Sequence, residues 1–121
     1  MIKRVLLCAV LFAVATGAVF AAETPEKPKA YLQITMNIPM ENRPAAVKVY
    51  TDYRQPFLDT IKGARTKELL VRDEDVQVLH GFDSSESAGA YLATEMFRND
   101  VFVGLQPLWR SDPAGKIYEV F

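Results

Sequence analysis

The chain has 121 residues, is 50% hydrophobic and 24% charged, and carries a formal net charge of −1. Acids and bases are interspersed with no basic stripe, which excludes nucleic acid and anionic membrane surfaces as partners. One cysteine (Cys8) and one histidine (His80) exclude a disulfide framework and a thiolate- or histidine-built metal centre, and nothing in the composition calls for a cofactor.

The amino terminus reads as a secretory signal. Lys3 and Arg4 precede the apolar run Val5 to Phe20, and small residues stand at Ala21-Ala22. As a membrane span the run is short of the roughly 20 apolar residues a bilayer needs, and Thr16 and Gly17 interrupt it. Cleavage is expected after Ala21, so residues 1–21 form the signal and the mature chain is secreted or periplasmic with no membrane attachment. Cys8 leaves with the signal, and stability then rests on one modest core, which favours burying a further face against a second copy.

Residues 22–29 are polar and proline-bearing and read as a tether. The domain covers 30–121. From Tyr31, Leu32, Ile34, Met36 and Ile38 alternate with Tyr31, Gln33, Thr35 and Asn37, a period-two pattern that predicts a strand. Pro39 ends it. Asn42 as cap and Pro44 in the first turn start a helix through Val47 and Tyr50. Pro56 is expected to stop that helix near Arg54 or to kink it before Phe57 and Ile61. Gly63 closes the segment.

Thr66–Val71 and Val76–Phe82 predict a hairpin around the acidic turn Asp73-Glu74-Asp75, with Val76, Val78, His80 and Phe82 sharing one face. The turn acids lack the glycine and distal Glu of a calcium loop and read as solvated. Asp83 with Glu86 three residues later predicts a capping box on a second helix, with Ala88, Tyr91, Leu92 and Met96 as its buried stripe. Asn99-Asp100 ends or bends that helix. Val101–Trp109 reads as an irregular connection, residues 111–115 as a turn, and Lys116–Phe121 as a last strand.

The order is βαββαβ, an α+β ferredoxin-like arrangement: a four-stranded antiparallel sheet with both helices on one face. The other face, carrying Tyr31, Gln33, Thr35 and Asn37, is mixed rather than charged and suits a second subunit. The passage Leu79-His80-Gly81-Phe82-Asp83-Ser84-Ser85-Glu86-Ser87-Ala88, running into Tyr91-Leu92, resembles the dimeric α/β-barrel superfamily that includes the antibiotic-biosynthesis monooxygenases. The resemblance covers Ala30 to Phe121 and implies a dimeric barrel. It also implies, for the haem-degrading branch, an Asn, a Trp and a His ligand. Asn37 matches the first, but Phe82 and Val101 stand at the other two positions, so haem degradation is not expected.

For the cofactor-free monooxygenase branch, the resemblance implies polar and aromatic side chains around an aromatic substrate. His80 and Asn37 are the catalytic candidates. Tyr31, Tyr50, Tyr53 and Trp109 are the ligand-binding candidates, with Trp109 also suited to plugging the barrel end. Ser84, Ser85 and Ser87 are explained by the helix start, and no nucleophile elbow or phosphate loop is present. The expected role is an exported homodimer that binds a small apolar ligand or a protein partner without catalysis. A cofactor-independent monooxygenase is the second reading, and a purely structural envelope protein the third.

Overall fold

The computed structural model describes residues 26–121, so the signal expected over 1–21 and residues 22–25 of the tether lie outside the described residues. Strand β1 (Ala30–Met36) alternates between buried and half-buried positions along its whole length. Leu32, Ile34 and Met36 point inward, and Ile38 keeps the same side beyond the strand end. A single 3-10 turn (Met40–Asn42) leads into helix α1 (Arg43–Thr60). Asn42 holds the cap position, but its side chain donates to the Leu108 carbonyl (3.2 Å) instead of capping the helix.

Helix α1 runs unbroken through Pro56, where the sequence predicts a stop near Arg54 or a kink. The residue after the proline explains the difference. Phe57 is fully buried and anchors the last turn in the core. Burying a phenylalanine contributes about 1.5–3 kcal/mol, comparable to the roughly 3 kcal/mol that an internal proline costs. The Thr60 hydroxyl also donates to the Pro56 carbonyl (2.7 Å).

Gly63 turns the chain at φ 80°. Its carbonyl accepts from the Asp83 N–H (2.8 Å), which ties the exit of α1 to the start of the second helix. Strand β2 (Ala64–Val71) and strand β3 (Val76–Phe82) form the expected hairpin, with an irregular register between Ala64 and Thr66. Arg72 closes the turn by pairing with Asp75 through both Nε and Nη2 (2.9 Å each). Val76, Val78, His80 and Phe82 are all buried on one side.

Helix α2 (Ser85–Tyr91) is capped by Ser84, whose Oγ accepts from the Ser87 N–H (3.1 Å). The cap therefore lies one residue beyond the expected Asp83, and Glu86 is an exposed first-turn acid. The helix is also shorter than predicted. Ala88 and Tyr91 are buried as expected, but Leu92 is 42% exposed because the helix has already ended. Thr94 then caps a new helical turn, Glu95–Phe97, accepting from the Phe97 N–H (3.1 Å).

That turn continues into a π-helix, Arg98–Leu105, and a 3-10 turn, Gln106–Leu108, where an irregular connection is expected. The wider winding of a π-helix brings residues five apart onto one side. Asp100, Val101 and Leu105 are accordingly its buried residues. Strand β4 (Ala114–Glu119) ends the fold and starts two residues before the predicted Lys116.

The sheet order is β2-β3-β1-β4, antiparallel throughout. Pairing continues past β1, since Lys29 donates to the Phe82 carbonyl and accepts from Val120. Helix α1 packs mainly on β2, and α2 packs across β1, β3 and β4, so both helices cover one face. The fold is the ferredoxin-like α+β arrangement expected from the order of elements. No helix among the described residues is long and apolar enough to cross a membrane.

Candidate functional site

On the sheet's helix-covered side the inward residues of β1 and β3 are buried, whereas every residue of the edge strand β4 is exposed. Gly115 leaves space on the β4 side. It pairs with Ile34, so it faces the helices, and a Cβ built on it would meet nothing within 4 Å. Helix α2 stops at Tyr91, and the segment that follows stands off from the edge strand. The result is an apolar cleft of about 400 Å³. Leu32 and Ile34 form its floor with Gly115 and Ile117, and Leu92, Phe97, Val101 and Phe102 form its outer wall. Phe102 is 47% exposed at the mouth, its ring meeting Phe97 and Trp109 edge-on at 5.8 and 6.0 Å.

Behind this cleft lies a buried polar cluster. Lys67 on β2 and His80 on β3 are register partners and point to the same interior. The Lys67 Nζ donates to Asp100 Oδ2 of the π-helix at 2.5 Å, with both side chains out of water. The ammonium also lies 5.4 Å from the Phe57 ring centre and 5.8 Å from that of Tyr53. Burial lowers the Lys67 pKa against the pull of Asp100, and burial raises that of Asp100 against the pull of Lys67.

His80 is held neutral. Burial, reinforced by the Lys67 charge, drops its pKa to about 3, against an opposing contribution from the backbone of Leu32. Neither ring nitrogen reaches hydrogen-bonding geometry, and the ring packs against Phe57 and Tyr91 at 5.2 and 5.3 Å. The Tyr91 hydroxyl is likewise buried without a partner, and burial with the nearby Asp100 charge raises its pKa. The cluster therefore holds one ion pair and two neutral polar side chains.

The residues singled out from sequence fall in three places. His80 lies inside this cluster, with Tyr53 beneath the ammonium and the Tyr50 hydroxyl donating to the Lys67 carbonyl (2.8 Å). Asn37 is exposed at the end of β1, where its carbonyl accepts from Arg110 (2.8 Å) and it borders a polar groove with Arg43, Asp73 and Glu74. Asn37 and His80 are thus not brought together. Tyr31 lies opposite Tyr118 on the open sheet face. Trp109 packs against the core beside Phe102, its indole N–H buried and unpartnered.

Sequence reasoning passed over Lys67, Asp100 and the cleft residues. A signal for Lys67 was present: it shares strand parity with Leu69, which the hairpin register turns inward. Asp100 and Gly115 had no local signal. Among the described residues no group of three or more His, Cys, Asp or Glu could hold a metal ion.

The fold has counterparts among solved structures. A Caulobacter crescentus protein provisionally designated an antibiotic biosynthesis monooxygenase superposes with a TM-score of 0.67 at 12% identity, over 84% of this chain and 98% of that one. A Nitrosomonas europaea protein with the same provisional designation gives 0.64 at 11% identity, over 78% and 93%. A Bacteroides thetaiotaomicron protein of unknown function, suggested to be an oxidoreductase, gives 0.62 at 15% identity, over 78% and 100%. The chain therefore has the ferredoxin-like fold of the antibiotic-biosynthesis-monooxygenase-like proteins. No family model matches the sequence. No curated protein matches it either.

Proposed function

We propose that this protein is an exported homodimer that binds a small apolar molecule in the cleft between β1, β4 and the π-helix. The cleft itself carries the reading: about 400 Å³ bounded by Leu32, Ile34, Phe97, Val101, Phe102 and Ile117. A volume of that size, lined by aliphatic and aromatic side chains, suits a ligand held by burial of its surface. The titratable cluster supports binding over catalysis, because the side chains of Lys67, His80 and Asp100 do not line the cleft.

Nile red titration tests the reading, with mass spectrometry of compounds released from protein purified from its native compartment. Saturable uptake of about one dye per chain, displaced by the released compound, is expected. A natural chain that takes up no dye and releases no apolar compound overturns it.

Export and dimerisation belong to the same reading. The basic and apolar leader supports export, and a secreted chain whose first residue is Ala22 would agree with it. The open sheet face supports the dimer. At its centre Gln33 donates to Gln77 (3.1 Å), and Tyr31, Leu70, Leu79 and Tyr118 share the face with Lys116 and Glu68. A light-scattering mass of one subunit at working concentration sinks the dimer.

One observation favours a second reading, cofactor-independent oxygenation of an aromatic compound. Leu32, in the cleft floor, is the register partner of His80, so a neutral imidazole with two free nitrogens lies close behind the cleft. Oxygen uptake with 1-naphthol that disappears in His80→Phe would support it, and its absence in the natural chain would remove this reading for that class of substrate.

A further inference from the structure

We infer that Lys67 and Asp100 are positioning residues for the cleft: their buried pair holds the Arg98–Leu105 segment in its π-helical winding, and that winding sets the cleft's outer wall. The inference rests on the cleft being the ligand site.

A π-helix is the rare winding, seen mostly as single turns and frequently at functional sites. Here the holding contact is visible. Asp100 is 2% exposed in the middle of the interior, and its carboxylate is met by the equally buried Lys67 at 2.5 Å. A charge-assisted hydrogen bond of this kind is directional, so it fixes which residue of the segment points inward. The partner is anchored in turn: Lys67 sits in the β2–β3 ladder, and its carbonyl accepts from Tyr50 of α1.

The outer wall follows from this. Val101 and Phe102 come directly after Asp100 and line the cleft, with Phe97 just before the segment. If Asp100 were released, rewinding to an α-helix would shift the segment's register by one residue, about 100° of rotation. Val101 would swing away from the floor and Phe102 away from the mouth. Apolar side chains at 67 and 100 could fill the same space, but a contact without direction would not choose between the two windings.

Three proteins test this: the natural chain, Asp100→Asn, and the double variant Lys67→Met/Asp100→Leu. The double variant guards against simple unfolding, because replacing both partners of a buried pair by apolar residues is often neutral for stability. Nile red affinity is measured on the folded protein, together with amide hydrogen exchange across residues 98–105. Both variants are expected to bind the dye about tenfold more weakly and to exchange about tenfold faster in that segment. A double variant that melts like the natural chain and keeps natural affinity and exchange overturns the inference and leaves the cleft reading intact. A natural chain that shows no saturable uptake overturns the cleft reading, and the inference with it.

Discussion

Lys67 and His80 are register partners on β2 and β3, buried side by side, and only Lys67 has a counterion. Two basic side chains share one interior, and Asp100 can neutralise one of them. The lysine takes the carboxylate, and the imidazole stays uncharged.

The pH dependence follows from that division. The folded-state pKa of His80 is about 3, against 6.5 for a free histidine. Above pH 6.5 neither the folded nor the unfolded chain protonates it. As the pH falls from 6.5 toward 3, the unfolded chain takes up a proton that the folded chain refuses. Stability therefore falls by about 1.4 kcal/mol per pH unit through that window. The raised pKa of Asp100 works the opposite way, so the difference between two proteins isolates the histidine. Urea denaturation of the natural chain and of His80→Phe, repeated between pH 4 and pH 7, should give stability curves that run parallel at the upper end and diverge in acid. At pH 7 the substitution should be neutral or stabilising by up to about 2 kcal/mol, since it removes two unpartnered buried nitrogens. Curves that stay parallel down to pH 4 would show that the folded chain protonates the imidazole as readily as the unfolded one.

Gly115→Leu fills the cleft without disturbing the core. The glycine faces Ile34, borders the cleft, and has open space where a side chain would go. Dye uptake should drop by about tenfold or more, while the melting temperature holds or rises because a strand glycine has been replaced. Undiminished uptake would place the dye elsewhere on the protein.

Gly63→Ala should destabilise the fold by about 1–3 kcal/mol in urea denaturation. The turn requires φ 80°, and a Cβ would come within 2.5 Å of both Asp83 Oδ1 and Ser87 Oγ. The strain falls on the junction that ties the exit of α1 to the start of α2. A loss below a few tenths of a kcal/mol would mean that the turn relaxes freely.

Ser84→Ala should cost about 1 kcal/mol, because it removes the hydroxyl that accepts from the Ser87 N–H. Glu86→Ala should cost distinctly less, as this exposed acid contributes only near the positive end of a short helix. Equal losses in thermal denaturation would restore the capping box read from sequence.

What was legible in the chain was what repeats locally. The period-two pattern from Leu32 to Ile38 names the buried face of β1, and Val76 to Phe82 does the same for β3. The turn acids, the glycine at 63 and the order of elements followed from short-range rules. The errors share a cause. Pro56 breaks a helix by every local rule, and only the burial of Phe57 against the sheet overrides it. The second helix ends early because Thr94 restarts the winding and Asp100 is drawn inward.

The sequence by itself determined a βαββαβ order and the inward faces of β1 and β3, and it carries neither a nucleophile elbow nor a phosphate loop. These are properties of the backbone and of near neighbours along the chain. The tertiary structure decided the cleft and the cluster behind it. Lys67 and Asp100 are 33 residues apart, and Ile34 meets Gly115 only across the β1–β4 ladder. A buried ion pair and an opening left by a missing side chain arise when distant segments pack, and no window along the chain contains both partners.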